Sequence, residues 1–413
     1  MMCGEHTINI ALSSDARGYS AHATLLASIL RRTRRKVWIK YWCRDFLPEN
    51  FEVGQLKVEF FNVVNERDGV YPGHVTPAVF DRLEVIREAP EWERCLVMDY
   101  DMLVTCDLGE YFDEEFEGNL LMGRLWDAKL SDAQILWRGA EFPEEWEHTK
   151  DYPYFYMGPM MNLAAMRKAG TWDKLIAAHE AFFAEEQIAL TAATDGKVKG
   201  VDRKWNMLSR ELSESELPEG VIHWTGWPKP WTWGAGEGVW RPEVWESERC
   251  SWDELRAGEW EKPVAWLFGR TAKEVLALAK RGWKIVAITS QRGAKKLRKS
   301  PMLDMHVIEE RVSMPLARKL LEEHGQPEFV RAGNKRLIPM LHKVGVRPSF
   351  IAVGGNNDAL DLKSQTERMG YSAWARVDQE GEPSGGRIAQ GVDYATQIEG
   401  GVLGEKEELH ARV

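Results

Sequence analysis

The sequence predicts an α/β protein of two domains, the larger with a mostly parallel sheet and the smaller built on the same plan. Three observations carry this expectation. The chain has 413 residues, where one domain holds roughly 100–200. Short apolar runs of period two alternate with stretches of helical spacing from the N-terminal region onward, the pattern of strand–helix–strand units. That alternation breaks in a charged, tryptophan-rich stretch and restarts after Pro263.

Taken in order, TINIALSS (7–14) sets Ile8, Ile10 and Leu12 at strand period, and YSAHATLLASILRR (19–32) carries apolar positions at helical spacing. KVWIKYW (36–42) and LKVEFFNVV (56–64) read as strands, and VFDRLEVIREA (79–89) as a helix. ERCLVMDYDMLV (93–104) reads as one central strand buried on both faces. In HWTGWPKPW (223–231), Pro228 and Pro230 fix φ and remove two amide donors, so this is loop or irregular extended chain. Nine of the nineteen tryptophans fall between Trp224 and Trp266, a density that also suits glue between domains. Beyond Pro263 come VAWLFG as strand, TAKEVLALAKRG as helix, WKIVAITS as strand, and later PSFIAVGG (348–355) followed by a helical stretch to Met369. The boundary is placed near 255–263, giving domains 1–255 and 263–413.

Composition narrows the class. Hydrophobic residues make up 44% and charged residues 29%, which is ordinary globular composition. A net charge of −10 gives no electrostatic reason to expect binding along a nucleic-acid backbone. The local run RRTRRK (31–36) reads as a solvated helix end whose cations are favoured by the dipole. Cys3, Cys43, Cys95, Cys106 and Cys250 are scattered without a CxxC pair, which supports neither a disulfide framework nor a cysteine zinc site. No signal peptide is read at the N-terminus, and no apolar run reaches the ~18 residues of a spanning helix. The expectation is a soluble, cytoplasmic protein, with peripheral membrane contact and oligomeric state open.

The chemistry concentrates in two places. Asp99-Tyr100-Asp101 ends the apolar run CLVMDYDMLV. In extended chain, residues i and i+2 point to one side, so two carboxylates converge at the carboxyl edge of the sheet, where α/β proteins bind ligands. Two adjacent buried acids are costly, and a divalent cation is the natural remedy. The competing reading is an Asp-x-Asp present by chance. In HWTGWPKPW, His223 is a candidate third ligand, Lys229 a point charge for a phosphate, and Gly226 a place for close backbone approach. The competing reading there is a buried aromatic corner.

Five pieces together resemble glycosyltransferase family 8, retaining enzymes of the GT-A fold. They are INIALSSD (8–15), FDRLEVI (80–86), CLVMDYDMLVTCDLGEYFD (95–113), YFYMGPMMNL (154–163) and HWTGWPKPW (223–231), and they span roughly residues 5–240 in the family's order. The resemblance implies a GT-A nucleotide-diphospho-sugar transferase domain, with a UDP-sugar donor and a saccharide acceptor. It implies that Asp99, Asp101 and His223 bind a manganese-type cation, Mn2+ or Mg2+. Asp15 is placed near the nucleotide base, Arg82 near the donor, Asp127 near the sugar hydroxyls, and Gly226 and Lys229 on the diphosphate. Asp202, in VDRKWNML (201–208), stands where the family has an acid-amide motif near the anomeric carbon, with the alignment slipping by a residue. Two departures bear on donor identity: Tyr156-Met157-Gly158 replaces an amide-containing motif near the sugar, and Asp15-Ala16-Arg17 lacks a second polar residue near the base. Transfer to a nucleobase or protein hydroxyl, and a non-catalytic binding protein with a decayed site, are the alternatives.

WLFGRTAKEVLALAKRGWKIVAITSQRGAKKL (266–297) resembles, in pattern only, the opening of a class I methyltransferase. Its turn has Gly269 but no GxG, and its second strand ends in Thr289-Ser290 where a ribose-binding acid is expected. The expectation is therefore a degenerate Rossmann-like domain of unclear role. Gly354–Asp358 reads either as a ligand loop or as a capped strand-to-helix turn.

Overall fold

The structure, a computed structural model, describes residues 7–63, 77–138, 142–182, 186–213, 217–226, 228–231 and 239–262, and in the C-terminal part 264–268, 272–280, 282–299, 301–302, 304–309, 312–332, 337–346, 350–353, 376–377 and 383–384. The chain divides into two compact units. One comprises Met1–Ser213 with Pro218–Glu261, the other Glu214–Leu217 with Lys262–Val413.

The first unit is mixed α/β. Its strands are β1 (Ile8–Ser14), β2 (Val37–Cys43), β3 (Phe51–Val53), β4 (Leu56–Asn62), β5 (Arg94–Val97), β6 (Met102–Val104), β7 (Leu121–Gly123), β8 (Leu125–Lys129), β9 (Pro153–Phe155), β10 (Met160–Asn162), β11 (Val198–Gly200), β12 (Met207–Leu208) and β13 (Val221–His223). Eight of them form one sheet in the order β11-β7-β10-β5-β1-β2-β4-β3. β5, β1, β2 and β4 run parallel, while β10 and β3 are antiparallel to their neighbours. Alternation along β1 sends Ile8, Ile10 and Leu12 into one apolar core and Ala11 into the other, so both faces are covered. The helix α1 (Ala16–Leu30) follows β1 directly; Asp15 caps it by accepting from the Arg17 amide, and Leu25, Leu26 and Ile29 join the first core.

Several expectations change here. The run 93–104 is two strands, not one. It leaves the main sheet after Val97, turns through Asp99–Asp101, and continues as β6 in a separate three-stranded sheet, β12-β13-β6. A backbone bond from Met102 N to Asp99 O, 3.2 Å, closes the turn. The expected helix 79–89 is two short helical turns, Ala78–Asp81 and Val85–Glu88, joined by a 3-10 turn at Arg82–Glu84. The basic run is a solvated helix end only in part: Arg34 and Lys36 are exposed. The Arg31 and Arg32 side chains are 9% and 10% exposed, and both pair with a fully buried Glu248 at 2.9 and 3.0 Å. Much of the tryptophan-rich stretch packs inside the first unit. Trp252 stacks on Tyr19 (4.6 Å, 8°), and Trp245 packs on Trp224 and Trp231.

The second unit carries a wholly parallel sheet of β14 (Val264–Phe268), β15 (Lys284–Ile288), β16 (Met305–Ile308), β17 (Phe329–Ala332) and β18 (Phe350–Val353). The spatial order β16-β15-β14-β17-β18 reverses direction beside β14, as in doubly wound sheets. Strand alternation again splits the core: Trp266, Phe268, Val286 and Ile288 meet Leu316 and Leu320 on one face, while Leu267 and Ile285 meet Val275 and Leu278 on the other. Ser290 caps the helix Gln291–Leu297 by accepting from the Gly293 amide. Gly269, Gly354–Asp358 and the stretch up to Met369 lie outside the described residues. No helix among the described residues is long and apolar enough to cross a membrane.

Candidate active site

The small sheet β12-β13-β6 builds the site. Antiparallel pairing sets His223 opposite Met102, and Trp224 N donates to Asp101 O at 3.0 Å, so the ladder holds the imidazole beside the Asp99–Asp101 turn. Parallel pairing of β12 with β13 brings Asn206, the residue preceding β12, to the same edge. Gly220, at φ +147, permits the entry to β13: a Cβ there would stand 2.0 Å from the Lys204 carbonyl oxygen.

His223 Nε2 lies 3.3 Å from Asp101 Oδ1 and 3.6 Å from Asp99 Oδ2. One ligand atom from each of the three residues falls within 4.8 Å of the other two, and they form the one such group of His, Cys, Asp and Glu among the described residues. A small divalent ion with bonds of about 2.1 Å in octahedral geometry needs neighbouring ligands about 3 Å apart, close to these spacings. Two carboxylates with one imidazole are a ligand set that suits a divalent cation.

The surrounding hydrogen bonds orient these ligands. The buried Asn206 donates from Nδ2 to the Met157 carbonyl, which leaves Oδ1 as acceptor for His223 Nδ1, 3.0 Å away. Nδ1 is therefore the donor in that bond, and Nε2 faces the carboxylates. Arg82, buried, donates to Asp99 Oδ1 at 2.5 Å, to Met98 O at 2.8 Å and to Glu186 Oε1 at 3.1 Å. Burial alone would lower the pKa of its guanidinium; the Asp99 and Glu186 carboxylates outweigh this and raise it. Asp99 thus keeps Oδ2 turned toward His223.

Asp101 is buried, and Lys229 donates to its Oδ2 and to Trp224 O, the latter at 3.0 Å. Burial by itself would raise the Asp101 pKa, but Lys229 and His223 hold it well below the ordinary carboxylate range. Lys229 also lies 5.7 Å from the Tyr100 ring centre, and Tyr100 packs against Trp231. On the other side of Tyr100 is α1, where Gly18 leaves room: a Cβ there would meet Tyr100 Cδ1 at 3.1 Å. His22 sits behind, fully buried, with Nδ1 2.6 Å from the Tyr41 hydroxyl; burial and the nearby Arg82 push its pKa down to about 3.

The structure therefore brings together Asp99, Asp101, His223, Lys229 and Arg82. Gly226 follows on the same loop at φ +82, with open space where a Cβ would stand. Asp15 is the cap of α1 and pairs with Arg17 at 2.8 Å, close enough to Tyr100 to act on its ionisation. Asp127 and Asp202 are exposed, and among the described residues no hydrogen bond or ion pair joins either to the cluster. Asp127 lies on β8, and Asp202 caps the turn Arg203–Trp205 by accepting from Lys204 N at 2.8 Å. Asn206 and Glu186 were not singled out from the sequence. The stretch 201–208 pointed toward Asn206, but nothing in one chain marked its amide.

The family model of glycosyl transferase family 8 matches residues 28–234. Among solved structures, the chain is similar to the galactosyltransferase LgtC in complex with donor and acceptor sugar analogues: 15% identity, 59% of this chain and 95% of that one, TM-score 0.46. It is also similar to the bifunctional glycosyltransferase WbbM (15%, 63% and 52%, TM-score 0.44). A further similar structure is the glycosyltransferase GlyE of Streptococcus pneumoniae (12%, 88% and 97%, TM-score 0.44). No curated protein sequence matches the chain.

Proposed function

The chain belongs to glycosyl transferase family 8, and on that premise we propose that this GT-A enzyme is a metal-dependent, retaining transferase that moves a sugar from a UDP-sugar to a saccharide hydroxyl. The observation that carries the reading is the Asp99–Asp101–His223 cluster, with Lys229 and Arg82 in contact with its carboxylates.

Asp99 Oδ2, Asp101 Oδ1 and His223 Nε2 would hold Mn2+ or Mg2+, and the bound ion would supply positive charge against the diphosphate leaving group. Arg82 and Glu186 position Asp99; Asn206 fixes the imidazole. Lys229 and the open backbone at Gly226 serve the diphosphate, and Asp15 with Tyr100 borders the nucleotide. The bond from the anomeric carbon to the diphosphate oxygen breaks with its electron pair going to that oxygen. Lys229 stabilises the charge as it develops. The acceptor hydroxyl oxygen forms the new bond to the anomeric carbon and gives its proton to the departing diphosphate oxygen. Asp127 stays the candidate near the sugar hydroxyls and Asp202 the candidate near the anomeric carbon, as the resemblance implies.

The test is hydrolysis and transfer from UDP-glucose and UDP-galactose with and without MnCl2. Wild-type turnover should need the metal, and Asp101→Ala and His223→Ala should abolish it while leaving the far-UV circular dichroism unchanged. Full activity in both variants would overturn the reading.

A further inference from the structure

The ribbon β8–β9 has two unlike faces. Leu125 pairs with Phe155 and Lys129 with Pro153, and Tyr156 N donates to Arg124 O at 2.9 Å, extending the ladder by one pair. Leu125, Asp127 and Lys129 are exposed, and Lys129 pairs with Asp151. The intervening positions turn the other way. There Trp126 meets Tyr154 at 5.6 Å and Tyr156 at 6.2 Å, and the Arg124 guanidinium lies 4.8 Å from the Tyr156 ring centre. Tyr154 is buried beneath; Trp126 and Tyr156 are half-buried.

This face joins the active site through one residue. Arg124 Nη1 donates to Asn206 O at 2.8 Å, and Asn206 in turn holds the Met157 carbonyl and His223. The Arg124 charge is matched by Glu211 at 2.7 Å. The face therefore offers aromatic surface and a neutralised guanidinium, a combination suited to a neutral ligand with C–H and hydroxyl groups and not to an anion.

We propose that the Arg124–Trp126–Tyr156 face is the acceptor subsite, on which the apolar face of a neutral hexopyranose stacks while its hydroxyl points toward the cluster. The proposal rests on the transferase reading for its role.

Saturation-transfer NMR tests it without turnover. Methyl β-D-galactopyranoside and methyl β-D-glucopyranoside are offered to the full chain with UDP and Mg2+, which avoids paramagnetic Mn2+. Wild type should saturate the ring protons H3, H4 and H5 of at least one glycoside. Trp126→Ala and Tyr156→Ala should each weaken binding about tenfold, the worth of one aromatic stack, and Trp126→Phe should restore most of it. The UDP-induced rise in unfolding midpoint serves as the control for folding and donor binding, and it should survive in all three variants. Absence of saturation in wild type, or wild-type affinity in both alanine variants, overturns the proposal. Loss of the UDP response in folded variants also overturns it, by placing the rings on the donor. A wild type that binds glycoside but no nucleotide would instead refute the transferase reading.

Discussion

Replacing Asn206 by leucine isolates the support of the cluster from the ligands themselves. The amide is buried, donates to the Met157 carbonyl and accepts from His223 Nδ1. Leucine is of similar size but leaves both partners unpaired. An orphaned buried polar group costs roughly 1–3 kcal/mol, so the two together should lower stability by about 2–6 kcal/mol. The imidazole also loses the bond that fixes its tautomer and ring orientation. Such outer partners are worth roughly 10- to 100-fold in metal affinity, equivalent to about 1.4–2.7 kcal/mol. Calorimetric titration of Mn2+ into the protein alone reads this directly, with urea unfolding for the stability term. Metal affinity within twofold of wild type, in a variant that has lost the expected stability, would refute the idea that Asn206 orients His223.

Other outcomes follow from the same geometry. Lys229→Met leaves the Asp101 carboxylate buried without its ammonium partner and should cost roughly 3–5 kcal/mol in urea unfolding, part of it recovered by Mn2+. Glu248→Ala, far from the proposed chemistry, strands Arg31 and Arg32 and should cost a similar amount while sparing metal affinity. His22 has its folded pKa lowered to about 3 from 6.5, so the unfolded chain binds the extra proton between those values. Stability should then fall as pH drops below 6.5, by up to about 1.4 kcal/mol per pH unit, and His22→Gln should flatten that slope in unfolding curves at pH 7 and pH 5. Asp101, held below the ordinary carboxylate range, contributes stability that is present above about pH 4 and is lost at lower pH. Asp101→Asn should remove that part of the acid transition in the metal-free protein.

The residues of the candidate cluster were legible because they sit beside strong local signals. Asp99 and Asp101 follow an apolar strand, and His223 opens a segment whose two prolines exclude a helix. What could not be read was non-local. Nothing in CLVMDYDMLV marks the point where the chain leaves one sheet for another, because β6 is apolar like β5 and its partner β13 lies more than a hundred residues on. The same distance hid the partner of the basic run: Glu248 decides that Arg31 and Arg32 are buried. The roles proposed for Asp127 and Asp202 come from the family pattern alone; the structure places Asp127 on β8 and Asp202 at the cap of Arg203–Trp205. Asn206 is an ordinary amide in sequence, and its place follows only from the pairing of β12 with β13.

The most direct measurement of the central claim is thermal unfolding of wild type and His223→Ala with UDP, GDP or CDP, each with and without Mn2+. A ligand of the native state at a hundredfold excess over its dissociation constant adds about 2.7 kcal/mol. The account predicts that UDP raises the wild-type midpoint only when Mn2+ is present, and that the rise disappears in His223→Ala. An equal rise without metal, or an undiminished one in the variant, would contradict it.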